Sequence, residues 1–231
     1  MLLTLNSHVL MPYLEMSLYA NDLLPDLSAL PTPRLLSTNI PYTSLPQTII
    51  DSGCKIVYIC RNPKDNFVSL WHFKNGIRAT MGKPPIPIYE EFQSFCEGVS
   101  LFGPYWDHVL GYWKESLENP NRVLFLMYEE MTADPSSQLK KLAEFMECPF
   151  SQQEDNEGVI NEILKLCCFT NMKNLEVNKS GKSIRGFSNA IFFRNGGIGN
   201  WGNDLTPDMV EPIDLITEEK LKGSGLEFQH V

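Results

Sequence analysis

Lys55-Ile-Val-Tyr-Ile-Cys60 runs directly into Arg61-Asn-Pro-Lys-Asp-Asn-Phe-Val-Ser69. The residues after Lys55 are apolar on both faces, β-branched and aromatic, the pattern of a strand buried in a parallel sheet. Asn62 is a good N-cap and Pro63 a good first helical residue. Phe67, Val68, Leu70 and Trp71 then recur at helical spacing. Arg61 therefore stands at the carboxyl end of a strand, where the chain turns into a helix. Open α/β sheets bind ligands at that edge.

The same alternation continues downstream. Arg122-Val-Leu-Phe-Leu-Met-Tyr128 reads as a second buried strand, and Asp134-Pro135 repeats the cap-plus-proline helix start. Leu139, Leu142, Ala143, Phe145 and Met146 line one face of the helix that follows. Residues 89–118 read as one or two amphipathic helices interrupted near Gly103-Pro104, and residues 157–170 as another. Thr206-Pro207 opens a last helix to about Leu221, with Pro212 in its interior. Residues 21–48 carry Pro25, Pro31, Pro33, Pro41 and Pro46, so short elements joined by loops are expected, among them a short strand at Arg34–Thr38. Strand, helix, strand, helix makes an α/β fold with a parallel sheet.

Of the 231 residues, 43% are hydrophobic and 20% charged, which excludes a disordered, collagenous or simple coiled-coil chain. The net charge of −9 is the reverse of what a general nucleic-acid or anionic-membrane binder carries. Any phosphate site must then be a local arginine cluster on an acidic body. The opening Met1-Leu-Leu-Thr-Leu-Asn-Ser-His-Val-Leu10 has no basic region and no small-residue cleavage site, so no signal peptide is expected. Apolar runs such as Val123–Met127 are far short of a membrane span. Cys54, Cys60, Cys96, Cys148, Cys167 and Cys168 form no C-x-x-C pair. They read as reduced, mostly buried thiols of a cytosolic protein, and not as a metal site. Asn178-Lys179-Ser180 matches a glycosylation sequon, and with no signal peptide expected the match is expected to be chance.

Several chemistries are excluded by what is missing. There is no G-x-x-x-x-G-K-[ST], because Glu176 stands where that motif needs glycine ahead of Gly181-Lys182-Ser183. A phosphoryl-transfer enzyme of the nucleotide-kinase type needs that loop and a magnesium-binding pair. There is no G-x-G-x-x-G after a strand, no H-E-x-x-H and no G-x-S-x-G. His8, His72, His108 and His230 show no ligand spacing, and His72 and His108 read as packed or surface side chains. What remains is arginine at strand and loop ends. Guanidinium offers phosphate a planar, bidentate fork of donors. Ser69 lies eight residues beyond Arg61, near the same helical face. A second cluster, Phe192-Phe193-Arg194-Asn195-Gly196-Gly197, combines a cation with glycines that let main-chain N–H groups approach an anion. An ordinary salt-bridge arginine and a plain surface loop remain the alternatives.

Together these segments resemble the cytosolic sulfotransferases, most closely the plant flavonol-sulfotransferase branch. The resemblance is carried by Lys55–Phe73, Val123-Leu-Phe-Leu-Met-Tyr-Glu-Glu-Met131, Lys173-Asn-Leu-Glu-Val-Asn-Lys-Ser-Gly-Lys182, Phe193-Arg-Asn-Gly-Gly-Ile-Gly-Asn-Trp201 and Ile216–Leu226. It covers nearly the whole chain, in order. It implies one domain over residues 1–231, with a P-loop-like parallel sheet flanked by helices. It also implies sulfonate transfer from 3′-phosphoadenosine 5′-phosphosulfate (PAPS) to a hydroxyl of a small acceptor such as a flavonoid or steroid, without a metal. By the same resemblance Arg61 and Ser69 would hold the nucleotide's 3′-phosphate, and Tyr128 would contact the adenosine end. Arg194, Asn195 and Gly196 would close over the phosphate, and Cys167, Cys168 and Phe169 would line the adenine pocket.

The chain departs from the family pattern at three places. The phosphate loop Y-P-K-[ST]-G-T-T-W is absent, because Leu2–Glu15 resembles the segment downstream of it. The sheet is therefore expected to lack the strand that feeds the loop and to expose backbone and apolar surface there. Asn39, in Thr38-Asn39-Ile40-Pro41, occupies the position of the family's catalytic histidine. An amide has no useful basicity near neutral pH, and losing a positioned general base costs roughly 10²–10⁴-fold in rate. Asn195 stands where the family has lysine, and Gly202 and Pro207 interrupt a dimerisation motif of which Thr206 and Glu211 remain. Two functions follow: a PAPS-dependent sulfotransferase, or a catalytically inactive relative with residual nucleotide or ligand binding. Loops 74–89 and 175–193 would set the acceptor.

Overall fold

The computed structural model describes residues 3–19, 27, 30, 32–183 and 186–228. Pro25, Pro31 and His230 lie outside them, as do residues 184 and 185 of the second acceptor loop. A short helix α1 (Ser7–Leu10) is capped by Asn6, whose side chain accepts the His8 N–H. A π-helical turn follows at Leu14–Leu18, then α2 (Gln47–Asp51) and β1 (Ile56–Cys60). The strand expected at Arg34–Thr38 does not form. Ser37 makes one parallel bridge to Tyr13, while the Thr38 hydroxyl and the Asn39 N–H go to the Glu15 carboxylate. Side-chain acceptors of this kind compete with a strand ladder.

The main helix α3 (Pro63–Thr80) starts as the sequence requires, with the Asn62 side chain accepting the Lys64 N–H at 3.0 Å. Then come α4 (Ile88–Cys96) and α5 (Tyr105–Glu118), separated by a turn in which Gly98 and Gly103 have φ of 80° and 89°. Next are β2 (Val123–Met127), α6 (Tyr128–Ala133) and α7 (Pro135–Phe145), the last capped by Asp134. The stretch 157–170 is mostly helical, as expected, but is broken at Cys168. After α8 (Gln152–Asn156), α9 (Val159–Cys167) gives way to α10 (Phe169–Asn174) because Cys168 adopts an extended conformation, φ −62° and ψ 147°. Finally come α11 (Glu176–Lys179) and α12 (Pro207–Leu221), which tolerates Pro212 inside it.

β1 and β2 pair in parallel from Ile56 opposite Val123 to Cys60 opposite Met127. β2 is buried, but Val57 and Ile59 on β1 are 37% and 52% exposed, and β1 has no other strand partner among the described residues. One hydrophobic cluster joins Cys60, Val109, Tyr112, Val123, Phe125 and Leu221. A second joins Phe67, Val68, Phe95, Trp106, Met209 and Ile213. Helices α5 and α12 contribute to both, so they tie the sheet side to the α3 side. Truncating one of these buried aromatics, such as Trp106, costs on the order of 3–5 kcal/mol.

All six cysteines are free, but the expectation that most are buried fails. Only Cys60 is buried and Cys96 is intermediate. Cys54, Cys148, Cys167 and Cys168 sit at the ends of elements, where the chain turns outward. Asn178 is 1% exposed and bonded to Asn6, so its sequon is not open to modification in the fold.

Candidate functional site

At the end of β1 the main chain is pinned on both sides of Arg61. The Tyr105 hydroxyl donates to the Arg61 carbonyl, and the Asn62 N–H donates to Glu129 Oε1 at 2.8 Å. The Arg61 guanidinium lies over the Tyr128 ring, 4.8 Å from its centroid. Its Nη2 donates to the Gly197 carbonyl at 2.5 Å and lies 3.5 Å from Asp65 Oδ2. Its Nε is buried without a partner. The Tyr128 hydroxyl donates to the neighbouring carbonyl, Gly196, at 2.5 Å. The strand ends and the glycine segment thus meet at one place, although they are far apart in the chain.

Gly196 cannot be replaced without cost. Its φ is +71°, and a Cβ there would sit 2.5 Å from the Phe169 ring. Phe169 also packs near Phe193, with centroids 6.0 Å apart, and beneath Lys173. Arg194 adjoins the cluster, with its guanidinium turned to Asp204 at 3.9 Å. The other Asp204 oxygen meets His72 Nε2 at 3.1 Å. Asn195 is exposed. Ser69 is half-buried on α3, one turn beyond Asp65 and outside the contacts that join Arg61 to the glycine segment. Cys167 and Cys168 are exposed, so of that trio only Phe169 reaches the glycine segment.

A second cluster surrounds Asn39. The Glu15 carboxylate accepts the Asn39 N–H at 2.7 Å and its side-chain Nδ2 at 3.2 Å. The Asn39 carbonyl faces His108 Nε2 at 3.0 Å, which must therefore carry the proton, leaving Nδ1 to accept the Tyr58 hydroxyl at 2.9 Å. Burial pushes the His108 imidazole below its ordinary value and pushes the Tyr58 and Tyr112 phenols up. Those two rings stack at 4.2 Å. Tyr58 and Arg61 are three residues apart at the end of β1, roughly 10 Å in an extended strand.

The two clusters differ in what they can do. The first offers a guanidinium, a buried unpartnered N–H donor and a glycine bend, a combination suited to an anion. In the second, both nitrogens of a neutral imidazole are engaged and the amide is no base. No group of metal-ligating side chains occurs among the described residues, and none of their helices is long and apolar enough to cross a membrane.

The sulfotransferase domain family matches residues 2–225. The chain belongs to the sulfotransferase family. It is 47% identical over 228 residues to cytosolic sulfotransferase 15 of Arabidopsis thaliana, covering 99% of this chain and 63% of that relative. Against cytosolic sulfotransferase 5 of the same plant the identity is 50%, with 98% of this chain and 70% of the relative covered. A crystal structure of an Arabidopsis thaliana sulphotransferase, provisionally described as acting on steroids, superposes with a TM-score of 0.71 at 41% identity, covering 97% of this chain and 64% of that one. A mouse sulfotransferase complexed with PAP gives 0.71 at 28% identity, covering 87% and 72%. This member of the family therefore spans a little under two thirds of two of these relatives, and its α/β fold with a small parallel sheet is the sulfotransferase fold.

Some residues that build the site escaped the sequence reading. Asp65 had a signal, since it stands four residues after Arg61 on a helix. Glu15, His108 and Asp204 had none, because their partners lie 24, 69 and 132 residues away.

Proposed function

We propose that this chain forms, as one domain, the 3′-phosphate end of a PAPS-dependent sulfotransferase site in a cytosolic protein. In this reading the transfer goes to a hydroxyl of a small acceptor such as a flavonoid or steroid. The observation that carries it is the convergence of Arg61, Tyr128 and the Gly196–Gly197 carbonyls at the strand edge. The buried, unpartnered Nε of Arg61 and the glycine bend over Phe169 fit a phosphate that brings its own acceptor oxygens.

Arg61, with Ser69, would hold the 3′-phosphate from the strand side. Arg194, Asn195 and Gly196 would close over it, with one cation fewer because Asn195 is neutral. Tyr128 would orient the adenosine end. PAPS, when bound, supplies the sulfonate. On the acceptor side Asn39 can hold a hydroxyl through a hydrogen bond but cannot take its proton. Its amide is already committed to Glu15. That observation favours a second reading, in which the chain binds nucleotide without turning it over.

Calorimetry with PAP, the product nucleotide, tests the first claim. The unsubstituted chain should bind and Arg61→Ala should not; equal heats from both would overturn the site. Labelled sulfonate transfer to a panel of flavonols and steroids then separates the two readings.

A further inference from the structure

Asp65 is fully buried on α3, and every contact it makes serves the same junction. Oδ2 accepts the Gly199 N–H at 2.8 Å and faces Arg61 Nη2 at 3.5 Å. Oδ1 accepts the Trp201 N–H at 3.1 Å. One carboxylate thus grips both the guanidinium at the strand end and the main chain just past the glycine bend, 134 and 136 residues downstream. A carboxylate buried in the core needs donors for its oxygens, and these two main-chain N–H groups and the guanidinium supply them.

We propose that Asp65 is a positioning residue for nucleotide recognition. It holds segment 194–201 against Arg61, so that the two arginine-bearing sides keep the gap a 3′-phosphate needs. This rests on the nucleotide reading above and deepens it. Two effects of removing the charge oppose each other. Losing the anchor frees the segment and weakens phosphate binding, whereas an unopposed Arg61 would attract phosphate more strongly. The anchor is the larger effect, because its two main-chain contacts are within hydrogen-bond distance, at 2.8 and 3.1 Å, while the Arg61 contact is longer, at 3.5 Å.

The test compares PAP with adenosine 5′-monophosphate, which lacks the 3′-phosphate, on the full chain. The unsubstituted chain should prefer PAP, and Asp65→Asn should lose about tenfold or more of that preference while binding the monophosphate as before. Trypsin should also cut after Arg194 faster in Asp65→Asn. A preference that is kept or increased in Asp65→Asn overturns the proposal and leaves the nucleotide reading standing. No preference in the unsubstituted chain overturns both. If Asp65→Asn does not fold, amide exchange in the unsubstituted chain decides. The Gly199 and Trp201 amides should exchange slowly and slow further with PAP but not with the monophosphate; fast exchange, or no difference between the ligands, sinks the proposal.

Discussion

Arg61 Nη2 donates to the Gly197 carbonyl at 2.5 Å, across 136 residues of chain. That bond joins the end of β1 to the glycine segment, with the Tyr128 ring beneath the guanidinium. The arginine is therefore held in place before any ligand arrives, with its Nε still unpartnered.

Arginine's fork is what the arrangement uses, so a simple positive charge should not replace it. Arg61→Lys is expected to bind PAP at least about tenfold more weakly than the unsubstituted chain, since lysine lacks a planar bidentate face. Calorimetry at two salt concentrations checks this. Affinity equal to that of the parent would show that only charge matters.

Gly196→Ala combines a left-handed φ with a contact of 2.5 Å to the Phe169 ring. The ring or the segment must move, at a cost on the order of 1–3 kcal/mol. Thermal unfolding should show a lower midpoint. Phe169→Ala should cost less in the Gly196→Ala background than in the unsubstituted chain, because the clash with the ring is gone.

The pH dependence of stability carries the signature of His108. Burial holds its folded pKa below the ordinary value, so in the pH range beneath about 6.5 the unfolded chain binds more protons than the folded one. Its contribution is complete above that value and is lost as pH falls toward the folded pKa. His8, also pushed down by burial, acts in the same direction. Unfolding midpoints should drop between pH 7.5 and 5.5, and His108→Gln should flatten the slope. An unchanged slope would show that His108 titrates normally.

Placing a base at position 39 should matter more for transfer than any change in the nucleotide cluster. Glu15, which now accepts the Asn39 amide, is placed to accept an imidazole N–H at that position. Asn39→His should raise sulfonate transfer by roughly 10²–10⁴-fold wherever the parent shows any. A radiolabel assay with matched PAP binding would reveal it. Equal rates would mean that proton removal is not limiting.

Thiol accessibility gives a check independent of function. Cys54, Cys148, Cys167 and Cys168 should react with an aromatic disulfide reagent in the folded chain. Cys96, pushed up to about 11 by burial and by Glu97, should lag. Cys60 should react only on unfolding, because it lies in the core beside β2. Fast labelling of a fifth and sixth thiol without denaturant would contradict this packing.

Local chemistry made much of this molecule legible in advance. Ile56–Cys60 and Val123–Met127 are strands, as short apolar runs bounded by polar and turn residues suit a strand buried on both faces. Asn62-Pro63, Asp134-Pro135 and Thr206-Pro207 open helices where expected, because a proline costs nothing in the first turn. The missing strand at Arg34–Thr38 and the break at Cys168 within the helical stretch 157–170 have a common reason. Glu15 draws off the donors of Thr38 and Asn39, and Cys168 turns away from helical angles, and neither is visible in a window of neighbours.

The family, the α/β pattern and the position of Arg61 at a strand end are written in the order of residues along the chain. Packing alone brings Arg61 to Gly197, Asp65 to the Gly199 and Trp201 amides, and Arg194 to Asp204. The physical reason is range. Capping, strand preference and helical spacing act over a few residues and are written in order along the chain. A buried carboxylate takes whatever donors the packed core brings to it, and here they come from more than 130 residues away.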